Sequence, residues 1–559
     1  MWYNLCMSMI NYREEALQEF NRWMLLTEND SEMQNELLKL KDNEEELTDS
    51  FYKHLHFGTS GIRGILGPGT NRINQYVVRR ATQGLSNYLN KNETNPSVVI
   101  SYDSRKKSAE FAMETAKVLS GNGIKAILFP HLTPVSMLSY AIRYYGCTMG
   151  VMITASHNPK IFNGYKVYNR EGYQIVGHEP DQILEEINSL DFFSGINMSE
   201  DHIVMASDDA ENAFIEEIST FSLLKGRRDI LENLKVVYTP LNGAGNEFVK
   251  KVFSKCGITN VIEVPSQNHP DENFTTCPYP NPEKITAYAE AAKIMNKENA
   301  DIIVATDPDS DRVGAMIPHD GMNVLITGNQ IGILMLDYLC HFKKPQPGQF
   351  LIKSIATTPF AEKIAEKYGL NVINTLTGFK YIGEKITDLT KEGRECDYYF
   401  GFEESTGYLV NPFIRDKDGV SGALIITEAA AWNKSMGRDL LDRLEELYDE
   451  LGVMRDRTEN FTFEGIEGAI TMQNIMKYFR ENIREGHVIG ECQIVKITDY
   501  MEETGLPKSD VLEYRFEDGT ILLIRPSGTE PKMKLYYFEA EKAESVRNAT
   551  DKIIESFRD

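Results

Sequence analysis

No apolar run in this chain approaches the roughly 20 residues a helix needs to cross a bilayer. The first ten residues, MWYNLCMSMI, are apolar but lack the basic flank and small-residue cleavage site of a secretory signal, and a charge-rich helical stretch follows at once. These absences predict a cytoplasmic protein. Cysteine is sparse and unpatterned. Cys6, Cys147, Cys256, Cys277, Cys340, Cys396 and Cys492 are odd in number and show no CxxC spacing, which argues against both a disulfide framework and a zinc site. Positive charge is in deficit, with 59 Lys and Arg against 83 Asp and Glu and a formal net charge of −24. Such a balance disfavours nucleic acid and anionic membrane as partners. No Walker-type GxxxxGK[ST] spacing occurs, so a nucleoside triphosphate is not implied.

At 559 residues the chain is too long for one core, and the length prior suggests three to four domains. Hydrophobic content of 42% and charged content of 25% are ordinary for a globular protein. Residues 1–45 read as a helical arm, with amphipathic stretches at 12–26 and 31–47. Strand patterns at 97–101 and 125–129 flank a helical pattern at 108–120, the βαβ alternation of a parallel sheet with right-handed crossovers. Further units start near 211, 326 and 451. The expected division is therefore an arm at 1–45, α/β domains at 46–210, 211–325 and 326–450, and a smaller, differently patterned domain at 451–559.

Four segments carry chemistry. The apolar run Gly150-Val151-Met152-Ile153 reads as a buried strand, so Ser156 in Thr154-Ala155-Ser156-His157-Asn158-Pro159 falls on the loop at its end, where open α/β sheets place ligands. A serine there can act as a nucleophile, although the hexapeptide alone reads equally well as an ordinary turn. Upstream, the glycines of Phe57-Gly58-Thr59-Ser60-Gly61-Ile62-Arg63-Gly64 permit a close approach, and Arg63 is a rigid fork suited to phosphate. Asp307, Asp309 and Asp311, alternating on a segment taken as extended, would project to one side as hard oxygen ligands for Mg²⁺. A calcium EF-hand is excluded, because Arg312 stands where that loop needs Gly and Pro318 where it needs a bidentate Glu. Glu403-Glu404-Ser405 at a strand end can hold vicinal sugar hydroxyls or act as a helix N-cap with acidic first-turn residues. Arg525-Pro526-Ser527-Gly528-Thr529, with Lys532 and Lys534 nearby, forms an anion cradle. Asp416-Lys417-Asp418-Gly419-Val420 reads as a turn before a helix, with no role assigned.

Taken in this order, the segments resemble the signature loops of the α-D-phosphohexomutase superfamily, over nearly the whole chain from about residue 50. The resemblance implies three similar mixed-sheet α/β domains plus a smaller α+β C-terminal domain around a central cleft. It implies that Ser156 carries a phosphate and joins Asp307, Asp309 and Asp311 around one Mg²⁺ per active site. Arg63 would face the phosphoserine and Arg105 would lie near it, Lys166 would be a general acid/base, and His157 would assist. Arg312 and Lys380 would contact substrate, Glu403 and Ser405 would hold its hydroxyls, and Arg525, Ser527, Gly528 and Thr529 would grip the phosphate not being transferred. The implied reaction interconverts glucose 1-phosphate and glucose 6-phosphate, with glucose 1,6-bisphosphate as intermediate and activator, in a monomer or homodimer. Thr377-Gly378-Phe379-Lys380 and Glu403-Glu404-Ser405-Thr406-Gly407 are closer to the phosphoglucomutase-2/phosphopentomutase branch. Pentose and mannose phosphates and bisphosphate synthesis therefore stay open as alternatives. A non-catalytic sugar-phosphate-binding protein or a phosphatase are the readings from other classes. Intact Ser156, Lys166 and the three aspartates speak against the former.

Overall fold

In a computed structural model the described residues are 2–58, 61–463, 465–527 and 532–558. They divide into two units, one comprising Met1–Ile326, Gly383–Glu395 and Thr406–Met436, the other Thr327–Ile382, Cys396–Ser405 and Gly437–Asp559. Among the described residues no helix is long and apolar enough to cross a membrane.

The first unit contains two sheets. One comprises β1 (Gly61–Ile65), β2 (Ser97–Tyr102), β3 (Lys125–Leu128), β4 (Met149–Ile153), β5 (Phe162–Asn169) and β6 (Ile203–Met205), in the order β1-β5-β4-β2-β3-β6. β2 runs parallel to β3 and β4, and β3 to β6, as the βαβ pattern requires. β5 is antiparallel to both β4 and β1, which makes the sheet mixed. Every residue of β4 is buried, which is why that strand reads as a continuous apolar run rather than an alternating one.

The N-terminal helices Trp2–Leu26, Ser31–Leu40 and Glu44–Phe51 pack on this sheet, placing Phe20, Trp23, Leu37 and Phe51 in one core with Val98, Ile100 and Val151. The periodicity that suggested one helix over 31–47 is in fact two. Asn43 accepts from the Glu46 N–H and starts a new helix, as Asp30 does for the one before it.

The second sheet contains β7 (Val236–Thr239), β8 (Val261–Glu263), β9 (Ile302–Thr306), β10 (Val313–His319) and β11 (Met322–Ile326), ordered β11-β10-β9-β7-β8. β7 is parallel to β8 and β9, and β9, β10 and β11 form an antiparallel meander.

In the second unit, β12 (Phe350–Ser354), β13 (Asn371–Thr375) and β14 (Tyr398–Glu403) are parallel in the order β13-β12-β14. The short β15 (Gly407–Leu409) follows in the chain and belongs to the first unit. The C-terminal sheet contains β16 (Arg455–Thr462), β17 (Val488–Ile489), β18 (Cys492–Asp499), β19 (Leu512–Phe516), β20 (Ile521–Pro526) and β21 (Lys532–Glu539), ordered β16-β21-β20-β19-β18-β17 and antiparallel throughout. Helices Gly465–Asn482 and Ala543–Glu555 cover one face, with Ile475, Phe479, Val546 and Ile554 packed on Leu512, Tyr514 and Leu522. A second apolar cluster joins Ile355, Ala356 and Leu376, beyond the ends of β12 and β13, to Tyr500, Leu523 and Phe538 of this domain.

Candidate active site

Ser156 lies in the loop leaving β4. It is 3% exposed and adopts a left-handed backbone with φ 51°. A non-glycine residue held there carries a strain on the order of 1–3 kcal/mol, so its surroundings must enforce the conformation. The Ser156 N–H donates to Thr154 Oγ1 at 2.8 Å, and the Thr154 hydroxyl donates to buried Asp103 at 2.6 Å. Arg105, itself buried, donates to the carbonyls of Ser156 and Asn158, and to those of Pro159 at 3.0 Å and Phe162 at 3.2 Å. Its Nε faces Asp103 at 3.2 Å. Arg105, expected near the serine, lies there and clamps its loop. Gly164 on β5 makes room for that loop, since a Cβ there would stand 2.4 Å from the Thr154 carbonyl.

The three aspartates sit on the turn between β9 and β10, not on an extended segment. Ser310, with φ 52°, closes the turn by donating its N–H to the Asp307 carbonyl at 2.9 Å. The N–H groups of Asp311 and Arg312 donate to Asp307 Oδ1 at 3.1 and 3.0 Å. The turn wraps around the first carboxylate, and one ligand oxygen from each of the three lies within 4.8 Å of the others.

This turn meets the serine loop within the first unit. Ser156 Oγ donates to Asp307 Oδ2 at 2.9 Å, and the Val135 N–H, at the start of the helix Val135–Tyr145, donates to the Asp309 carbonyl at 2.9 Å. Lys166 Nζ lies 3.0 Å from Asp309 Oδ2 and Lys417 Nζ 3.1 Å from Asp311 Oδ2. Arg312 pairs with Glu283 at 3.1 Å.

Burial, together with Asp309 and Asp311, pushes the Asp307 carboxyl well above the ordinary aspartate range. Burial opposes ionisation of Asp309 too, but Lys166 and Lys417 overcome it and hold that carboxyl low. Among the described residues the buried Oδ1 atoms of Asp309 and Asp311 have no hydrogen-bond partner. Clustered carboxylates with orphaned buried oxygens fit a hard divalent cation such as Mg²⁺.

His157 Nδ1 is 3.2 Å from Ser156 Oγ. Burial and the cations Arg312, Arg63, Arg105 and Lys166 lower its pKa well below that of free histidine, so the ring is neutral at pH 7. Arg63, on β1 opposite Gly164, contributes to that field.

Lys417 was not legible as a site residue. The turn that carries it was read correctly, since Asp418 N-caps the helix Gly419–Ser435 by accepting from Val420 and Ser421 at 3.0 and 3.1 Å. The Gly419 N–H donates to the Ser310 carbonyl at 3.0 Å, and a Cβ on Gly419 would stand 2.4 Å from that oxygen. The helix start therefore docks on the aspartate turn and brings Lys417 with it. A lysine flanked by two aspartates before a helix was the only local signal.

The second unit holds the remaining predicted residues. Glu403, at the end of β14, accepts from the Gly378 N–H at 2.6 Å, and Ser354 Oγ donates to Glu404 at 3.3 Å. A turn, not a helix, follows Glu403, so the N-cap reading of this segment is excluded. Lys380 lies in the first turn of the helix Phe379–Lys391, with its ammonium 5.4 Å from the Tyr381 ring centre. Arg525, next to the end of β20, stands opposite Lys534, and the Ser527 N–H donates to the Lys532 carbonyl at 2.8 Å. Burial and Glu404 raise the Tyr536 hydroxyl pKa while Arg525 lowers it. Gly528 and Thr529 lie outside the described residues.

A buried serine against a carboxylate cluster, ringed by lysine and arginine at the ends of α/β strands, defines an enzyme of phosphoryl transfer. Comparison with known proteins agrees. Four family models match in order: phosphoglucomutase/phosphomannomutase α/β/α domain I at residues 54–194, domain II at 212–321, domain III at 327–451 and the C-terminal domain at 481–556. The phosphoglucomutase of Staphylococcus saprophyticus is 34% identical over 524 residues, covering 90% of this chain and 94% of its own. That of Staphylococcus haemolyticus is 35% identical over 504 residues, covering 87% and 90%. The crystal structure of a phosphoglucomutase/phosphomannomutase family protein from Burkholderia thailandensis shares the fold, with a TM-score of 0.67 at 16% identity over 90% of this chain and 97% of that one. The chain belongs to the phosphoglucomutase/phosphomannomutase family.

Proposed function

We propose that the protein is an α-phosphoglucomutase, interconverting α-D-glucose 1-phosphate and glucose 6-phosphate through a phosphoserine at Ser156. The observation that carries this reading is the 2.9 Å contact of Ser156 Oγ with Asp307 inside the three-aspartate cluster. Asp307, Asp309 and Asp311, with an oxygen of the phosphorylated Ser156, would hold one Mg²⁺. Bound there, the ion neutralises phosphoryl charge and polarises the P–O bond.

In the forward half-reaction a free hydroxyl of the sugar monophosphate attacks phosphorus, and the bond from phosphorus to Ser156 Oγ breaks. The hydroxyl's proton passes to a nearby base, for which the candidates are Lys166, paired with Asp309, and the neutral ring of His157, 3.2 Å from Ser156 Oγ. Arg63 and Arg312 oppose the charge on the transferring group. Arg105 and Thr154 hold the main chain of Ser156 in place, and Lys417 joins Lys166 in opposing the charge of the aspartates. Glu403 and Ser405 hold the sugar hydroxyls, Lys380 lies beside them, and Arg525 and Ser527, with Gly528 and Thr529, grip the idle phosphate. Glucose 1,6-bisphosphate then turns over and returns its other phosphate to Ser156, which is why added bisphosphate activates the enzyme.

The test has two parts. The purified protein should carry about 80 Da of covalent phosphate, mapped to the Ser156 peptide. A kinetic panel of hexose and pentose 1-phosphates, scored for isomerised sugar against free phosphate, should rank glucose 1-phosphate first. A pentose or mannose preference reassigns the substrate, and phosphate release without isomer makes the protein a phosphatase.

A further inference from the structure

Away from these loops, the second unit contains a cavity of about 320 Å³ between the parallel sheet and the C-terminal sheet. Lys353, Glu362 and Asn374 line one wall, and Lys496, Thr498 and Arg515 the other. On β19, alternation sets Glu513 and Arg515 on the cavity face while Leu512, Tyr514 and Phe516 turn into the core. On β18, Ile494 turns into that core, and the break in register after it sets Lys496 and Thr498 on the cavity face.

Three features of this cavity concentrate positive charge in it. The register sets Lys496 directly opposite Arg515, and like charges facing across one rung destabilise a pair of strands. A break in register between Ile494 and Lys496 re-aims the strand at this point, the kind of irregularity that positions side chains at sites. Across the cavity Lys353, next to the end of β12, is 2% exposed, where an ammonium is costly to desolvate, and it is held by the Thr357 carbonyl at 3.2 Å and by Glu362.

The acids present do not balance these cations. Glu362 pairs with Lys353 at 3.0 Å and Glu513 with Arg515 at 2.7 Å. Among the described residues no carboxylate lies within ion-pair distance of Lys496. A net positive cavity in a chain of net charge −24 is a concentration of charge that surface composition does not supply.

We infer that this cavity binds a small metabolite with an oxyanion head, phosphate or carboxylate, seated between Lys496 and Arg515, with its hydroxyls toward Thr498 and Asn374. The guanidinium fork and the ammonium complement such a head, and the volume suits a compact polyol acid rather than a nucleotide. Because the ligand touches both sheets of the unit and the site forms only in the folded chain, binding raises the unit's stability.

Calorimetric titration of the full-length protein tests this, with inorganic phosphate as one probe and malonate as the other. Wild type should show a site that Lys496→Glu weakens about ten- to a hundredfold, the range expected for reversing one charge-assisted contact. The probe bound more tightly assigns the head group. Lys496 is exposed, and Lys496→Gln, checked for native circular dichroism, serves as a second variant with a smaller loss. Arg525→Ala should leave this site intact, which separates it from the phosphate loop proposed above. Superimposable isotherms for wild type and both Lys496 variants would overturn the inference, as would loss of all phosphate binding in Arg525→Ala.

Discussion

Replacing Lys166 by Met keeps most of the side-chain length and removes only its charge. The ammonium is 3.0 Å from Asp309 Oδ2, with side-chain exposures of 11% and 0%. Removing one partner of a buried pair leaves an uncompensated charge and costs about 3–5 kcal/mol. In chelator, where the aspartates have only protein cations to oppose them, Lys166→Met should lose stability on that scale. At no more than about 2 °C per kcal/mol for a unit larger than 250 residues, this is a fall of at most roughly 6–10 °C in Tm. Saturating Mg²⁺ supplies an opposing charge from the other side of the carboxylate, so part of the loss should return. Linkage then fixes a second observable, since a regain of about 2 kcal/mol must appear as roughly thirtyfold tighter Mg²⁺ binding by the variant. Scanning calorimetry with and without Mg²⁺, paired with metal titration, measures both. An equal loss in chelator and in Mg²⁺ would refute the claim that Lys166 and the ion share one electrostatic site.

Chelator should stop turnover, and Asp309→Asn should raise the Mg²⁺ concentration giving half-maximal rate by removing one anionic ligand; full activity in excess chelator would rule out the metal role. Arg525→Ala should raise KM for sugar phosphate about 10- to 150-fold with a smaller change in kcat, because a grip on the idle phosphate is the same in ground and transition states. Steady-state kinetics with graded glucose 1,6-bisphosphate should also show steeper activator dependence in that variant. His157 has its folded pKa lowered, so the unfolded chain takes up this proton first as pH falls. Its contribution to stability is therefore complete above about pH 6.5 and is lost on acidification. Urea midpoints between pH 7.5 and 5.5 should fall less in His157→Gln than in wild type.

The sequence by itself determined the features that rest on local physics. β4 is legible because a strand covered on both faces must be apolar at every position. The serine and aspartate loops are legible because turn residues and carboxylates punctuate the ends of such strands. The excluded nucleotide, zinc and calcium readings rest equally on spacing along the chain. Tertiary structure alone decided how far-separated segments share one field. Arg105 was expected near the serine only through the resemblance, and it is the folded loop that turns four carbonyls toward it. The three aspartates looked extended because alternation suggests a strand, whereas Asp307 accepts two backbone N–H groups of its own turn and bends the segment around itself. Lys417 carried no readable role, since nothing near it in the chain shows that its helix begins on the Ser310 carbonyl. Such contacts depend on distance in space. A linear pattern records only the turn chemistry and hydrophobic period of each segment, not the surface on which that segment docks.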